Sequence, residues 1–186
     1  TRGKWEDLME TSQVQTIEDA RQIVEQRELD YIKVGLFDVD GVMRGKYMHR
    51  DKFLSALEGG FGFCDVVLGW DSNDQLYDNV SLTGWHTGYG DAKVQIIPQS
   101  CRELPLEEGT LLFLAEFAPP AEAVCPRGLL RRVLQRGREM GLSATAACEF
   151  EFFLFEETPH SAREKHFRSL KNISPGFFGY SMLRSS

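Results

Sequence analysis

A run of seven residues, Glu149-Phe-Glu-Phe-Phe-Leu-Phe155, constrains the fold of this chain more than any other feature. Its density of aromatic residues predicts an interior β-strand, within a strand that we expect to extend from Ser143 to Phe155. Because side chains alternate between the two faces of a strand, Glu149 and Glu151 would lie on one side, about 7 Å apart. Buried carboxylates repel each other, and a hard divalent cation such as Mg²⁺ or Mn²⁺ removes that conflict. The sequence therefore predicts that Glu149 and Glu151 are metal ligands, with a solvated acidic face on an edge strand as the alternative.

Length and composition restrict the class of protein. The chain has 186 residues, of which 42% are apolar and 26% charged, so it can form one sizeable core or one small domain plus part of another. Its net charge of -7 argues against a nucleic-acid partner. No apolar stretch approaches the roughly 20 residues that span a bilayer, so no membrane partner is predicted. The four cysteines include no C-x-x-C pair, which favours reduced thiols and a cytoplasmic location.

One segment is strongly basic, although the net charge of the whole chain is negative. Five arginines lie on a predicted helix among leucines and a valine; they are Arg127, Arg131, Arg132, Arg136 and Arg138. We interpret this run as a solvated or interface face of the helix.

The N-terminal part of the chain alternates helix and strand signals. Thr16-Ile-Glu-Asp19 has the pattern of a capping box and predicts a helix through about Arg27. Strands are predicted from Tyr31 to Val39 and from Val42 to His49, joined at the turn signal Asp40-Gly41. A short helix over residues 51–57, a long turn-rich loop over residues 61–91 and strands over residues 93–97 and 110–117 follow. This pattern predicts a small α+β unit with a mainly antiparallel sheet.

The best domain boundary is Ala118-Pro-Pro-Ala121, since two consecutive prolines interrupt regular structure. Beyond it, Pro126 begins a predicted helix that runs to Met140. We therefore predict one domain over residues 1–118 and a second over residues 119–186. Because too few elements remain to complete the sheet of the second domain, we expect that domain to be incomplete in this chain.

A second motif, Leu36-Phe-Asp-Val-Asp-Gly41, matches the nucleophile loop of haloacid-dehalogenase-type phosphatases. In such a loop Asp38 would attack phosphorus and Asp40 would act as acid and base. The preceding residues lack the continuous apolar run of a buried parallel strand, and a second strand follows directly, as in a hairpin. We therefore favour an Asp-Gly turn in a sheet and keep the phosphatase as the alternative.

The segment from Pro126 to Phe155 resembles the opening of the catalytic domain of the glutamine synthetase family. Upstream, Asp40-Gly-Val-Met-Arg-Gly-Lys46 is similar to a hairpin of that family's N-terminal β-grasp domain. The segment from Ile97 to Pro105 is similar to a proline- and arginine-containing segment of the family. The resemblance implies an α+β fold, in which a β-grasp-like domain is followed by the start of a glutamine-synthetase-type catalytic α/β domain.

The resemblance also implies a function. Family members use ATP and Mg²⁺ or Mn²⁺ to join glutamate to ammonia or an amine, and their full-length chains assemble into rings. Glu149 and Glu151 match the Glu-x-Glu strand that binds the family's divalent metals. By the resemblance, the other carboxylate ligands, the ATP-contacting segment and the arginines that grip phosphate and glutamate lie outside this chain, so we expect the chain alone to be inactive.

Several positions depart from the family pattern, and they leave alternatives open. Gln99 and Cys101 replace the usual Asp and Thr, and Ala147-Cys148 stands where many members have Gly-Pro. The segment around Asp65 corresponds to a latch over the neighbouring subunit's ammonium site, but it diverges enough that Asp65 receives no assigned role, and the same holds for Tyr180. A non-catalytic, synthetase-like scaffold is therefore a third possibility.

Overall fold

A computed structural model describes residues 8–174 and residue 176 of the chain. The chain divides into two compact units, Thr1–Ala144 and Thr145–Ser186, which are described separately. The predicted domain boundary, between residues 118 and 119, stays a prediction. Tyr180 lies outside the described residues.

The first unit begins with the predicted helix and hairpin. Helix α1 (Ile17–Gln26) is capped as its sequence indicates, because Thr16 Oγ1 accepts a hydrogen bond from Asp19 N and Thr16 N donates to Asp19 Oδ2. Strands β1 (Tyr31–Phe37) and β2 (Met43–His49) then pair antiparallel, which confirms the hairpin.

The turn of this hairpin differs from the expected two-residue turn. Asp38 N donates to Val42 O, and Gly41 N donates to Asp38 O, so Val39, Asp40 and Gly41 form a three-residue loop. Gly41 alone of these three has a positive φ, of 82°. This matches the hairpin loop that closes with a left-handed glycine, in which Asp40 needs no positive φ.

Three further strands complete a five-stranded mixed sheet in the order β2-β1-β5-β4-β3. They are β3 (Phe61–Cys64), β4 (Asp91–Glu103) and β5 (Leu111–Phe117). The pairing of β1 with β5 is parallel, and the other pairings are antiparallel. This arrangement confirms the α+β class and the mainly antiparallel sheet.

Helices α1 and α2 (Arg50–Gly59) cover one face of the sheet, and the core lies between them and the strands. The ring of Phe53 on α2 packs against the ring of Phe113 on β5, with centroids 4.8 Å apart, and both side chains are fully buried. Alternate residues of β5 are buried, so this central strand supplies much of the core.

Helix α3 (Pro126–Glu139) ends the first unit. Pro126 occupies the first turn, as predicted, and Gly141 follows the helix with a φ of 77°. Gly128 is the one buried residue of α3. Its backbone packs so closely on Glu122 that a Cβ at this position would lie 2.5 Å from Glu122 O. Pro126, Arg127 and Gly137 are half-buried, and the other residues of the helix are exposed.

The second unit contains little regular structure. The predicted strand from Ser143 to Phe155 is wrong for this structure, since residues 143–154 form neither strand nor helix and only Phe155 makes a bridge, to Asn172. A strand needs a neighbour to satisfy its backbone groups, and the described residues provide none here. Helix α4 (Pro159–Glu164) follows, with Thr158 and Ser161 forming a capping box.

Candidate functional site

Glu149 and Glu151 lie in the part of the second unit without regular structure, and both side chains are exposed. Two carboxylates fit the chemistry of a hard divalent cation, but two oxygen ligands are an incomplete set for Mg²⁺ or Mn²⁺. Within residues 8–174 and 176, no group of three His, Cys, Asp or Glu side chains is placed to hold a metal ion. The role of Glu149 and Glu151 as metal ligands stays a prediction.

The Asp38 motif has a structural explanation. The Asp38 side chain is fully buried, and its Oδ1 accepts hydrogen bonds from Asp40 N at 3.0 Å and Val42 N at 2.8 Å. Its Oδ2 accepts from Arg44 Nε at 2.8 Å. Both oxygens are thus engaged in holding the hairpin loop, which leaves neither free to attack phosphorus. This geometry supports the turn interpretation and argues against the phosphatase alternative.

Arg44 connects the hairpin to the long loop of residues 65–91. Besides Asp38, its guanidinium bonds Asp74 Oδ1 at 2.6 Å and lies 4.9 Å from the centroid of the Trp70 ring. Asp38 and Asp74 together raise the pKa of Arg44 above its usual value, while burial opposes them. This role was not predicted from the sequence, where its only signal is a pair of cations, Arg44 and Lys46, on one face of a predicted strand.

The loop of residues 65–91 has a defined conformation. Asp65 N donates to Gly90 O at 3.0 Å, and Asp65 Oδ1 accepts from the buried hydroxyl of Thr83. Trp85 nevertheless remains 84% exposed and contacts the edge of the Tyr89 ring. The structure therefore contains a well-bonded loop that presents an indole to solvent, and a functional role for Asp65 remains unassigned.

A groove of about 430 Å³ lies on the sheet face opposite α1 and α2, where Gly35 and Gly45 pair directly. At one end Lys33 forms an ion pair with Glu107, and Tyr47 Oη donates to Glu107 Oε2 at 2.8 Å. Lys33 and Tyr47 lower the pKa of Glu107, and Glu107 raises the pKa of Lys33. Because these charges neutralise each other, the groove presents no activated nucleophile or base.

The C-terminal third of the chain matches a known protein family. Residues 123–182 match the family model of the glutamine synthetase catalytic domain. This match includes α3, Glu149 and Glu151, and it confirms the resemblance to the glutamine synthetase family that the sequence indicated.

Three curated relatives extend the similarity to most of the chain. The type-1 glutamine synthetase 2 of Dictyostelium discoideum is 39% identical over 84% of this chain and 30% of its own length. The glutamate–isopropylamine ligase of a Pseudomonas species is 32% identical over 89% of this chain and 37% of its own. The γ-glutamylethanolamide synthetase GlnA4 of Streptomyces coelicolor is 30% identical over 90% of this chain and 37% of its own. The chain thus spans about a third of the length of these relatives.

Two solved structures also match part of the chain. An apo structure of GmaS has a TM-score of 0.48 at 16% identity, and it covers 78% of this chain and 36% of its own chain. The glutamine synthetase of Plasmodium falciparum has a TM-score of 0.48 at 14% identity, over 68% of this chain and 23% of its own. Separately, no helix in the described ranges is long and apolar enough to span a membrane.

Proposed function

We propose that this chain belongs to an ATP-dependent ligase that joins glutamate to ammonia or to an organic amine. The observation that carries the proposal is the similarity over 84–90% of the chain to proteins named as a glutamine synthetase, a glutamate–isopropylamine ligase and a γ-glutamylethanolamide synthetase. These names share the formation of a γ-glutamyl amide and differ in the amine. We therefore propose the reaction class and leave the amine to experiment.

The proposed reaction has two steps. The γ-carboxylate of glutamate takes the terminal phosphoryl group of ATP and releases ADP. The amine nitrogen then attacks the acyl carbon, so that a C–N bond forms, the bond to phosphate breaks and the nitrogen loses a proton. A bound Mg²⁺ or Mn²⁺ would neutralise phosphate charge during this transfer. In this scheme Glu149 and Glu151 hold the cation and do not act as acids or bases.

We also propose the domain arrangement that the family implies, with a β-grasp domain over residues 1–118 and the beginning of a catalytic domain over residues 119–186. The hairpin of β1 and β2, the central parallel pairing of β1 with β5 and the two helices on one face support the first assignment. The family match of residues 123–182 supports the second. A cytoplasmic ring of identical subunits completes the proposal.

The full-length gene product tests this function. It is incubated with glutamate, ATP, Mg²⁺ and a panel of ammonia, isopropylamine, ethanolamine and other primary amines, and γ-glutamyl amides are detected by mass spectrometry. We expect one preferred amine and stoichiometric phosphate release. The double variant Glu149→Gln, Glu151→Gln should lose at least about 100-fold in rate, because even partners outside the metal ligands are worth about 10–100-fold.

Glu156→Gln is the control, since it removes one negative charge directly after the same run and Glu156 is outside the predicted pair. It should retain most of the activity. Absence of every γ-glutamyl product would overturn the ligase. Hydrolysis of p-nitrophenyl phosphate that disappears in Asp38→Asn would favour the phosphatase, and no activity in either assay would favour the scaffold.

A further inference from the structure

A second pocket, of about 380 Å³, adjoins the groove of the first unit, and Leu112 lines both. We call it the arginine pocket; it is lined by Ile97, Gln99, Ser100, Arg102, Leu112, Leu114 and Arg127. Two of these side chains are guanidinium groups, and none is a carboxylate. Its volume falls within the range of small-molecule sites, about 300–1,000 Å³.

Hydrogen bonds hold one wall of the arginine pocket. The register of β4 against β5 shifts between Ile97 and Arg102, so this part of β4 bulges. Ser100 fixes the bulge, because its Oγ accepts from Leu114 N at 2.7 Å and donates to Ile97 O. The wall is therefore preformed, which lowers the cost of binding a ligand against it.

Arg102 brings an unbalanced positive charge to the arginine pocket. Within residues 8–174 and 176 it forms no ion pair, and its Nη1 donates to backbone carbonyls, at 2.6 Å to Cys101 O and at 3.4 Å to Gln99 O. The next residue, Glu103, pairs with Arg27. Because adjacent side chains of a strand point to opposite faces, Glu103 is directed away from Arg102.

Arg127, the second cation of the pocket, shares its acidic partner. Its Nε donates to Glu116 Oε1 at 2.9 Å, and Glu116 Oε2 also pairs with Arg131. Glu122 supplies a further carboxylate, which pairs with Arg131 as well. Three guanidinium groups, with that of Arg102, thus face two carboxylates. This part of the surface is electropositive, although the whole chain has a net charge of -7.

We propose that the arginine pocket binds a small organic oxyanion, a carboxylate or a phosphate, through Arg102 and Arg127. A guanidinium group has five N–H donors in a planar fork that matches the oxygens of either anion. Arg102 donates through Nη1 and Arg127 through Nε, so both keep donors for a ligand. The aliphatic part of the ligand lies against Leu112 and Leu114, which line the same pocket.

The neighbouring groove does not share this preference for anions. Its cation Lys33 is neutralised by Glu107, which lines the same groove. None of the residues of the arginine pocket is assigned a step in the proposed reaction, so binding of an anion there goes beyond that function. Occupancy of the pocket can be measured without catalysis, and its failure can be told from failure of the ligase.

Protection of arginine side chains from phenylglyoxal tests the proposal in the full-length gene product. The reagent modifies accessible guanidinium groups, and peptide mass spectrometry reports each arginine separately. Butyrate and n-butyl phosphate are the probes, at constant ionic strength, and n-butanol is the uncharged control with the same chain. At about ten times its dissociation constant, a bound anion should slow modification of Arg102 and Arg127 about 10-fold. The anion that protects at the lower concentration identifies the head group.

Two controls within the same experiment separate the pocket from general effects of the probes. Arg138 is an exposed arginine of α3 outside the pocket, and its rate should not change with any probe. Acetate should require about a 10-fold higher concentration than butyrate, because it lacks two methylene groups that the leucines would cover. n-Butanol should protect neither Arg102 nor Arg127.

Arg102→Gln tests whether the two arginines share one ligand. It should raise the concentration of anion that protects Arg127 by at least about 10-fold, because it removes a charge-assisted partner of the ligand. Arg138→Gln is the matched control and should leave protection of Arg127 unchanged. Urea denaturation confirms that both variants are folded, and the measurement on the unmodified protein stands without them.

Four results would overturn the proposal. They are no protection of Arg102 by either anion, equal slowing at Arg138, equal protection by n-butanol, and protection of Arg127 that persists unchanged in Arg102→Gln.

Discussion

Strand β5 and the run of residues 149–155 have similar sequences and different structures. Both contain seven residues, mostly large and apolar, with at least one glutamate. In β5 the side chain of Phe113 is fully buried between neighbouring strands and α2, whereas Phe152 in the later run is 75% exposed. The difference shows that apolar density gives a segment the tendency to form a strand, and that adjacent strands decide whether it forms one.

The largest expected effect comes from removing a core aromatic ring from β5. Phe113→Ala should lower the free energy of unfolding of the first unit by about 3–5 kcal/mol, because it leaves a cavity where Phe53 now packs. Phe152→Ala should change it by less than about 0.5 kcal/mol, since that side chain is exposed. Urea denaturation followed by circular dichroism measures both. Equal losses would show that the run of residues 149–155 is buried in solution.

A smaller loss is expected at the hairpin loop of the first unit. Asp38→Asn should cost about 2 kcal/mol, because it removes a charge from a buried carboxylate that accepts from Arg44 and from two backbone amides. Asp40→Asn, an exposed neighbour, is the control and should be near neutral. Urea denaturation of the two variants distinguishes the two interpretations of Asp38. If Asp38 served chemistry alone and did not hold the turn, Asp38→Asn would leave the unfolding midpoint unchanged.

The reactivity of one cysteine in each unit compares the two units without a mutation in the core. Burial raises the pKa of Cys101 to about 12, so at pH 8 its thiolate fraction is about 10⁻⁴. Cys148, in the second unit, is exposed. Iodoacetamide labelling followed by peptide mass spectrometry should modify Cys148 within minutes and Cys101 only after denaturation. Rapid native labelling of Cys101 would contradict the closed core of the first unit.

The smallest effect is expected at Glu157, the polar centre of the second unit. Lys165, Ser161 and the backbone N–H of Lys171 lower the pKa of Glu157 to about 2. Because the folded pKa lies below the unfolded one, the contribution of Glu157 is present above about pH 4.5 and is lost as the pH falls toward 2. The protection of amides near α4, corrected for the intrinsic exchange rate at each pH, should therefore fall in that range, and Glu157→Gln should remove this dependence. An identical pH profile in the variant would show that another group controls the region.

Local signals in the sequence predicted much of the first unit. The capping box of Thr16, the hairpin and β5 all depend on neighbouring residues, and the structure confirms each of them. The extent of β4 was not predictable in this way. It continues through Pro98 because the register shifts between Ile97 and Arg102, and such a shift depends on the partner strand.

The candidate site was less predictable than the fold. Alternation along a strand placed Glu149 and Glu151 on one face, but the described residues supply no neighbouring strand to hold them there. Arg44 was missed for the related reason that its partners Asp74 and Trp70 are about 30 positions away in the sequence. The local sequence pattern therefore identified candidate ligands, but it could not predict which distant residues lie beside them.

Metal binding by the full-length gene product tests the central claim most directly. Free Mn²⁺ is followed by electron paramagnetic resonance as it is titrated into the unmodified protein, the double variant Glu149→Gln, Glu151→Gln and the control Glu156→Gln. The proposal predicts that the unmodified protein and Glu156→Gln bind Mn²⁺ alike and that the double variant loses this binding. Unchanged binding by the double variant would contradict the assignment of Glu149 and Glu151 as the metal ligands of a ligase.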